Sequence, residues 1–158
     1  MNKWMPPVVL GLSVVAVAQD HHGQMPARGA QAMGFDQEKT THHFYLYEDG
    51  GAIDVTVKDR KDTTNLAAIR THLPHIMKMF AVGDFSTPHF VHEQNVPGTE
   101  GMTRLRDRIA YAYNDVPNGG RLRFTTRHVR ALSSLHDFLR YQITDHKTGD
   151  PLHVTPVP

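Results

Sequence analysis

Apolar and polar positions follow the same plan in both halves of the chain. In the first half, residues 44–47 and 52–57 alternate on either side of a turn at residues 48–51, which predicts a β-hairpin. Asp62 or Thr63 is then placed to cap a helix. Apolar residues recur at helical spacing up to Gly83-Asp84, where the helix is expected to end; they are Leu66, Ile69, Leu73, Ile76, Met77 and Phe80.

The second half repeats this order. Two short alternating segments flank a turn at residues 118–120, and a helical stripe follows that ends at Gly149-Asp150. The apolar positions are Ile109, Tyr111, Tyr113, Leu122 and Phe124 in the strands and Leu132, Leu135, Leu139 and Ile143 in the helix. When Gly83-Asp84 is aligned with Gly149-Asp150, the two helical stripes superpose. We therefore interpret residues of about 42–84 and 107–150 as two ββα repeats.

Each ββα unit has an apolar sheet face and an apolar helix stripe that must be buried. The sequence thus predicts one α+β domain over residues 35–150, with a four-stranded antiparallel sheet and two helices packed on one face. A homodimer that pairs sheet edges satisfies the same pattern. Residues 85–108 are expected to form a connector, with a short helix near residues 102–106.

The two ends of the chain differ from this domain. Residues 1–18 predict a signal peptide, because Lys3 precedes an apolar run too short to span a bilayer that ends in Ala16-Val17-Ala18. Residues 19–34 have no apolar period and predict a flexible leader, and residues 151–158 contain three prolines and predict a loose, extended tail. We expect a periplasmic or secreted protein that does not insert into a membrane after cleavage.

Composition narrows the choice of partners. The chain has 17 basic and 16 acidic residues, a net charge of +1, which does not favour nucleic-acid binding. The absence of cysteine excludes disulfides. Twelve histidines suggest metal handling, because neutral imidazole is a common ligand for zinc and copper.

Three segments carry the main candidate metal ligands. One edge of the first helix presents two histidines and a methionine at i, i+3 and i+7, two more histidines lie in the connector, and one histidine at the start of the first strand faces the helices. If these segments converge, methionine would favour copper and a carboxylate would favour zinc. The candidates are His42, His72, His75, Met79, His89 and His92.

Other histidines are secondary candidates. His136 lies near the apolar stripe of the second helix, and His146 takes the position that Phe80 has in the first repeat. A polar residue at a core position needs a partner, so each is interpreted as hydrogen-bonded, as part of a second metal site, or as a haem axial ligand. If cleavage follows Ala18, the new amine and His21 form a nitrogen set suited to Cu(II) or Ni(II).

Two segments resemble a group of small exported bacterial proteins of no established role. The first is the GFDQ-x-KTTHHF motif at residues 34–44, continued by residues 49–53, and the second comprises residues 138–140 and 146–150. The resemblance spans about residues 34–150 and implies a single exported domain without a mechanism. Some members carry the label aspartate carbamoyltransferase. The chain lacks a Ser-x-Arg-Thr loop for carbamoyl phosphate and the cysteines of the regulatory chain, so this activity is not expected.

Four functions therefore compete. The leading one is a metal-binding protein, with copper ahead of zinc, that sequesters or delivers the ion. An enzyme is less favoured, because the sequence has no nucleophile elbow, HExxH motif or phosphate loop. The others are a non-enzymatic interaction module and a binder of haem or another small ligand, in a groove lined by Tyr45, Tyr111 and Tyr141.

The metal hypothesis makes a direct prediction. Calorimetric titration of Cu(II), Cu(I) and Zn(II) should show stoichiometric, submicromolar binding that is lost when His72 and His75 are changed to Ala. Undiminished binding in this double variant would exclude the helix pair as the site.

Overall fold

The computed structural model describes residues 21–158, so the segment predicted to be a signal peptide lies outside it. Five helices and four strands are present in this part of the chain. In chain order they are α1 His21–Met33, β1 Thr40–Tyr47, β2 Gly50–Val57, α2 Thr63–Ala81, α3 Ser86–His92, α4 Thr99–Arg104, β3 Ala110–Val116, β4 Gly119–Thr125 and α5 Val129–Asp145. A 3₁₀ turn at Arg106–Arg108 precedes β3. Among residues 21–158, no helix is both long and apolar enough to cross a membrane.

The four strands form one antiparallel sheet in the order β1-β2-β4-β3. Two-residue turns close both hairpins, and Asn118 in the second turn has a positive φ of 63°, a conformation that asparagine tolerates. Ile53 of β2 lies opposite Leu122 of β4 and joins the two hairpins at the centre. The predicted α+β class and four-stranded sheet are confirmed, although the helices number more than two.

Each of the two long helices packs mainly on strands of the other repeat. Helix α2 belongs to the first repeat but packs on β3 and β4 as well as on β2, whereas α5 belongs to the second repeat and packs on β1 and β2. The helix-facing residues of the strands form one core with the two helix stripes. Its fully buried members include Leu46, Val55, Ile69, Leu73, Leu122, Phe124, Leu135 and Leu139.

Helix α2 begins where the sequence predicts. The Asp62 carboxylate accepts a hydrogen bond from the backbone N–H of Asn65 at 3.0 Å and so caps the helix. The helix continues through Pro74 as far as Ala81, so the proline does not interrupt it.

Helix α1 corrects the expectation of a flexible leader at residues 19–34. The segment packs on the domain, and these contacts outweigh its weak apolar period. Gly29 is buried, and a Cβ atom there would lie 2.9 Å from Cγ of Gln37, so the glycine allows close approach. Arg28 donates from Nε to the carbonyl oxygen of Val91 at 2.9 Å and pairs with Glu93.

The connector and the tail also carry more structure than expected. Helix α3 was not predicted, and α4 begins three residues before the predicted short helix. The tail is extended, but it is not loose along its whole length. Thr155 donates its backbone N–H to the carbonyl oxygen of Leu46 at 2.9 Å, which fixes the tail to the outer edge of β1.

Gly98 sets how closely α4 approaches α5, and it generates a stability prediction. Its φ is +80°, and a Cβ atom would lie 2.0 Å from the carbonyl oxygen of Ser134. Gly149 has nearly the same φ, +77°, but no atom lies within 4 Å of its added Cβ. Gly149→Ala should therefore cost only the backbone strain, about 1 kcal/mol. Gly98→Ala should cost at least about 2 kcal/mol more, because overpacking adds to it.

Urea denaturation of the two glycine variants measures this difference directly. Equal losses in the free energy of unfolding would show that α4 and α5 can separate without cost.

Candidate functional site

A small cavity lies between the sheet and helices α1, α2, α3 and α5. Its volume is about 80 Å³. Most of its wall is apolar, and the apolar residues that line it include Phe44, Leu73, Ile76, Phe80, Val91 and Phe138. The polar side chains of the wall are Gln37, His42, Thr87, His92, Gln142 and His146. A concave, mainly apolar space with few polar groups is typical of a small-ligand site.

The cavity continues into a wider surface depression of about 290 Å³. His42, His146 and Val91 are among the residues that line both spaces. Most of the other residues in the wall of the depression carry polar side chains, and they include Glu38, Thr40, Thr41, His43, Lys58 and Thr148. The two histidines therefore lie where an apolar interior meets a polar mouth.

Strand alternation determines which way His42 points. As predicted, it lies on the helix-facing side with Phe44 and Leu46, while His43 lies on the opposite side. The His42 ring stacks on the His146 ring at a centroid distance of 5.7 Å and on the ring of Phe35 at 6.1 Å.

The end of α5 places His146 over β1. His146 is the C-cap residue, and the next residue, Lys147, has a positive φ of 53° where glycine is the usual choice. The backbone N–H of Thr148 donates to the carbonyl oxygen of Ile143 and closes the last turn. This turn is a Schellman motif, and it directs the chain from α5 back toward β1.

Asp150 joins this turn to the strand. One carboxylate oxygen accepts the backbone N–H of Phe44 at 2.9 Å, and the other lies 2.9 Å from Nδ1 of His43. Thr148 donates its hydroxyl to the same carboxylate at 2.7 Å. Asp150 thereby holds β1 and the segment after α5 in one register, which fixes His146 against His42.

Burial keeps both stacked rings neutral. Desolvation, with the nearby His43, lowers the pKa of His42 to about 4. Desolvation, with the nearby His42 and His92, lowers the pKa of His146 to about 3. No hydrogen bond joins either ring to another group within residues 21–158. At neutral pH each ring therefore has one N–H donor and one nitrogen acceptor to offer.

His92 forms the inner wall and is held on both sides. Its Nδ1 lies 2.6 Å from the Asp145 carboxylate and its Nε2 lies 3.1 Å from Oε1 of Gln142. The ring also packs edge-on against His146, with centroids 5.1 Å apart. Gln142 is only 5% exposed, and its Nε2 has no hydrogen-bond partner.

The three segments predicted to converge do not all meet. His42 from the strand and His92 from the connector meet at His146 of α5 rather than at the helix pair of α2. The ring centroids of His72 and His75 lie 5.9 Å apart, and neither residue lines the cavity. Burial and the neighbouring His75 lower the pKa of His72, and its Nε2 is buried without a partner.

The remaining candidates have ordinary partners. His89 lies 3.0 Å from the Thr99 hydroxyl, and the sulfur of Met79 accepts from the Thr87 hydroxyl at 3.9 Å. His136 donates from Nε2 to the carbonyl oxygens of Tyr47 and Gly50, at 3.0 and 2.9 Å. Of the three interpretations of His136, the structure matches the hydrogen bond.

The part of the chain that the structure describes contains no group of three or more His, Asp or Glu side chains placed to hold a metal ion. Both ring nitrogens of His92 already face hydrogen-bond partners. Of the imidazoles of His42, His92 and His146, that of His92 therefore has no nitrogen left for a metal ion. The predicted N-terminal copper motif begins at Gln19, outside the described residues.

The tyrosine groove is wrong as a description of the site, because none of its three tyrosines lines the cavity. Tyr45 stacks on Tyr47 beside the guanidinium of Arg121, away from the helices. Sequence reasoning also missed Gln142 and Asp145. The signal for Gln142 was available, because it is a polar residue beside Leu139 and Ile143 in the buried stripe of α5.

No known protein family, curated protein or solved structure matches the chain.

The lowered pKa values generate a pH prediction. The unfolded chain binds protons at these histidines near pH 6.5, whereas the folded chain binds them only near pH 4 or below. The stability that the two neutral rings contribute is therefore fully present above pH 6.5 and decreases as the pH falls toward 4. Replacing His42 with Phe should reduce the loss of unfolding free energy between about pH 7 and pH 5 by about 2 kcal/mol.

Urea denaturation at both pH values measures this loss. His153→Phe, in the exposed tail, is the control and should leave the pH dependence unchanged. An unaltered pH dependence in His42→Phe would show that the ring titrates normally in the folded protein.

Proposed function

We propose that this protein is a non-enzymatic binding protein that takes a small, mainly apolar molecule into the cavity beneath His42 and His146. The single observation that carries the proposal is the continuity of an apolar cavity with a polar depression at two hydrogen-bond-free rings. An amphipathic molecule fits this arrangement, with its apolar part against the apolar wall and its polar part at the polar side chains of the wall.

The size of the cavity limits the apolar part. One water occupies about 10–15 Å³ by the same kind of measure, so about 80 Å³ holds roughly five to eight water-sized groups. A five-membered ring or a short alkyl chain is within this limit. Haem is far larger than the cavity and is not part of the proposal.

The geometry around His92 favours binding over catalysis. An imidazole held by a carboxylate is the arrangement of a general base with its orienting group. In this protein, however, Gln142 occupies the position next to Nε2, where a hydroxyl or thiol nucleophile would have to lie. His92 therefore has no nucleophile to activate among the described residues.

Metal binding and the interaction module stay predictions. A metal site at the leader should be tested with His21→Ala rather than by deleting residues 19–33, because Gly29 and Met33 of α1 line the cavity. The interaction module is favoured by β3, which pairs with β4 alone and exposes Ala110, Ala112 and Asn114 at the sheet edge.

Cyclopentane is a suitable probe of the cavity. Burying its five methylene groups should contribute about 4 kcal/mol, which corresponds to a dissociation constant of about 1 mM. Val91→Phe should abolish binding, because Val91 is buried in the cavity wall and the larger ring fills the space. Val129→Phe makes the same change at a residue that is 81% exposed and should bind normally.

Two-dimensional ¹H–¹⁵N spectra recorded during the titration report both binding and correct folding of each variant. Shifts confined to residues around the cavity are expected in the wild type. Absence of such shifts in the wild-type protein would reject the proposed function and favour the interaction module.

A further inference from the structure

We infer that the polar end of the bound molecule is a neutral hydrogen-bond acceptor, such as the oxygen of a small ketone, ester or ether, and that it binds to Nε2 of Gln142. This inference rests on the proposed function, because it names the chemical class of molecule that the same cavity takes. The Gln142 amide nitrogen is a buried donor in the cavity wall that has no hydrogen-bond partner among the described residues.

Buried donors in proteins are nearly always paired. Gln142 is only 5% exposed, and it lines the cavity next to His92. Leaving such a donor unpaired costs free energy. A hydrogen bond from this nitrogen to an acceptor in the cavity would therefore stabilise the complex more than the same bond from a donor exposed to water. The unpaired nitrogen thus selects for a ligand that carries an acceptor.

The neighbouring His92 sets the orientation of this amide. Its Nδ1 lies against the Asp145 carboxylate, and its Nε2 lies against Oε1 of Gln142. Both ring nitrogens thus face oxygen atoms. Because Oε1 lies against His92, the amide presents its nitrogen, and not its oxygen, to the cavity.

The charges around the cavity favour a neutral ligand. An anion would lie near the Asp145 carboxylate, and the stacked rings of His42 and His146 are neutral and do not compensate it. A cation would find the same carboxylate already engaged by His92. Burying an uncompensated charge is strongly unfavourable, so an uncharged acceptor such as a carbonyl or ether oxygen fits the site.

Three five-membered rings test this inference because they differ mainly in hydrogen bonding. Cyclopentanone has an acceptor and no donor, pyrrole has a donor and no comparable acceptor, and cyclopentane has neither. Each is titrated into the wild-type protein and into Gln142→Glu, which keeps an oxygen for His92 and replaces the donor nitrogen with a second oxygen. Gln31→Glu makes the same change on the exposed face of α1 and is the control.

The quantity compared is the ratio of the dissociation constants of cyclopentane and cyclopentanone. Gln142→Glu should lower the relative preference for cyclopentanone by about two- to tenfold, the contribution expected of one hydrogen bond, and Gln31→Glu should leave it unchanged. In the wild type, the side-chain NH₂ signals of Gln142 should shift downfield with cyclopentanone and not with cyclopentane. This second measurement does not depend on the folding of the variant.

The other outcomes separate the two proposals. An unchanged ratio without a downfield shift, while cyclopentane still binds, would overturn the acceptor inference and leave the cavity as a binding site. A preference for pyrrole in the wild type that Gln142→Glu keeps would also overturn it, because the amide would then present its oxygen. Failure of all three rings to bind the wild type would reject the proposed function and the inference together.

Discussion

The carboxylate of Asp150 is the contact on which the geometry of the site depends. It accepts a backbone N–H from Phe44 and lies within hydrogen-bond distance of His43, so it holds the chain after α5 against β1. The Schellman turn fixes His146 only four residues before it. The rings of Phe44 and His92 also contact His146, and Asp150 adds the polar contact that fixes the chain after α5 to β1.

This contact also joins two segments that are distant in the sequence, the GFDQ-x-KTTHHF motif and residues 146–150. The THHF residues supply His42, His43 and Phe44, and residues 146–150 supply His146 and Asp150. Segments about one hundred residues apart in the sequence thus form a single structural unit. Both segments therefore contribute to one mouth, and each histidine in them has a different role. His42 and His146 border the cavity, while His43 binds Asp150 on the outer side.

The elements were predictable from the sequence because their periods are strong, but their spatial arrangement was not. Alternation correctly placed His42 on the helix-facing side, and the apolar stripes located α2 and α5. The candidate metal site grouped His42 with His72 and His75 because the strand start, the helix edge and the connector were expected to converge. In the folded chain, α2 packs on the other half of the sheet, and α5 covers β1. The order of the strands in the sheet determines which helix covers which strands, and no local pattern in the sequence predicts that order.

Helix α1 was missed for a related reason. Its glycines and proline disfavour a helix, and its order depends on tertiary contacts with Gln37 and Val91. Gln142 shows the opposite case. Its position in a buried stripe was visible, but its importance follows only from the partner that its nitrogen lacks.

The number of histidines in a chain is a poor guide to their function, because burial and hydrogen bonding give the same side chain different chemistry. His136 donates to two backbone carbonyls at a hairpin end, His92 is held between a carboxylate and an amide, and His42 and His146 are neutral rings without partners. A shared metal site would require several imidazoles with free nitrogens directed at one point. The apolar surroundings here oppose that arrangement, since the same desolvation that keeps two rings neutral also disfavours a cation beside them. Neutral rings at the mouth of an apolar cavity are instead suited to an uncharged molecule, and this is the constraint that the binding proposal follows.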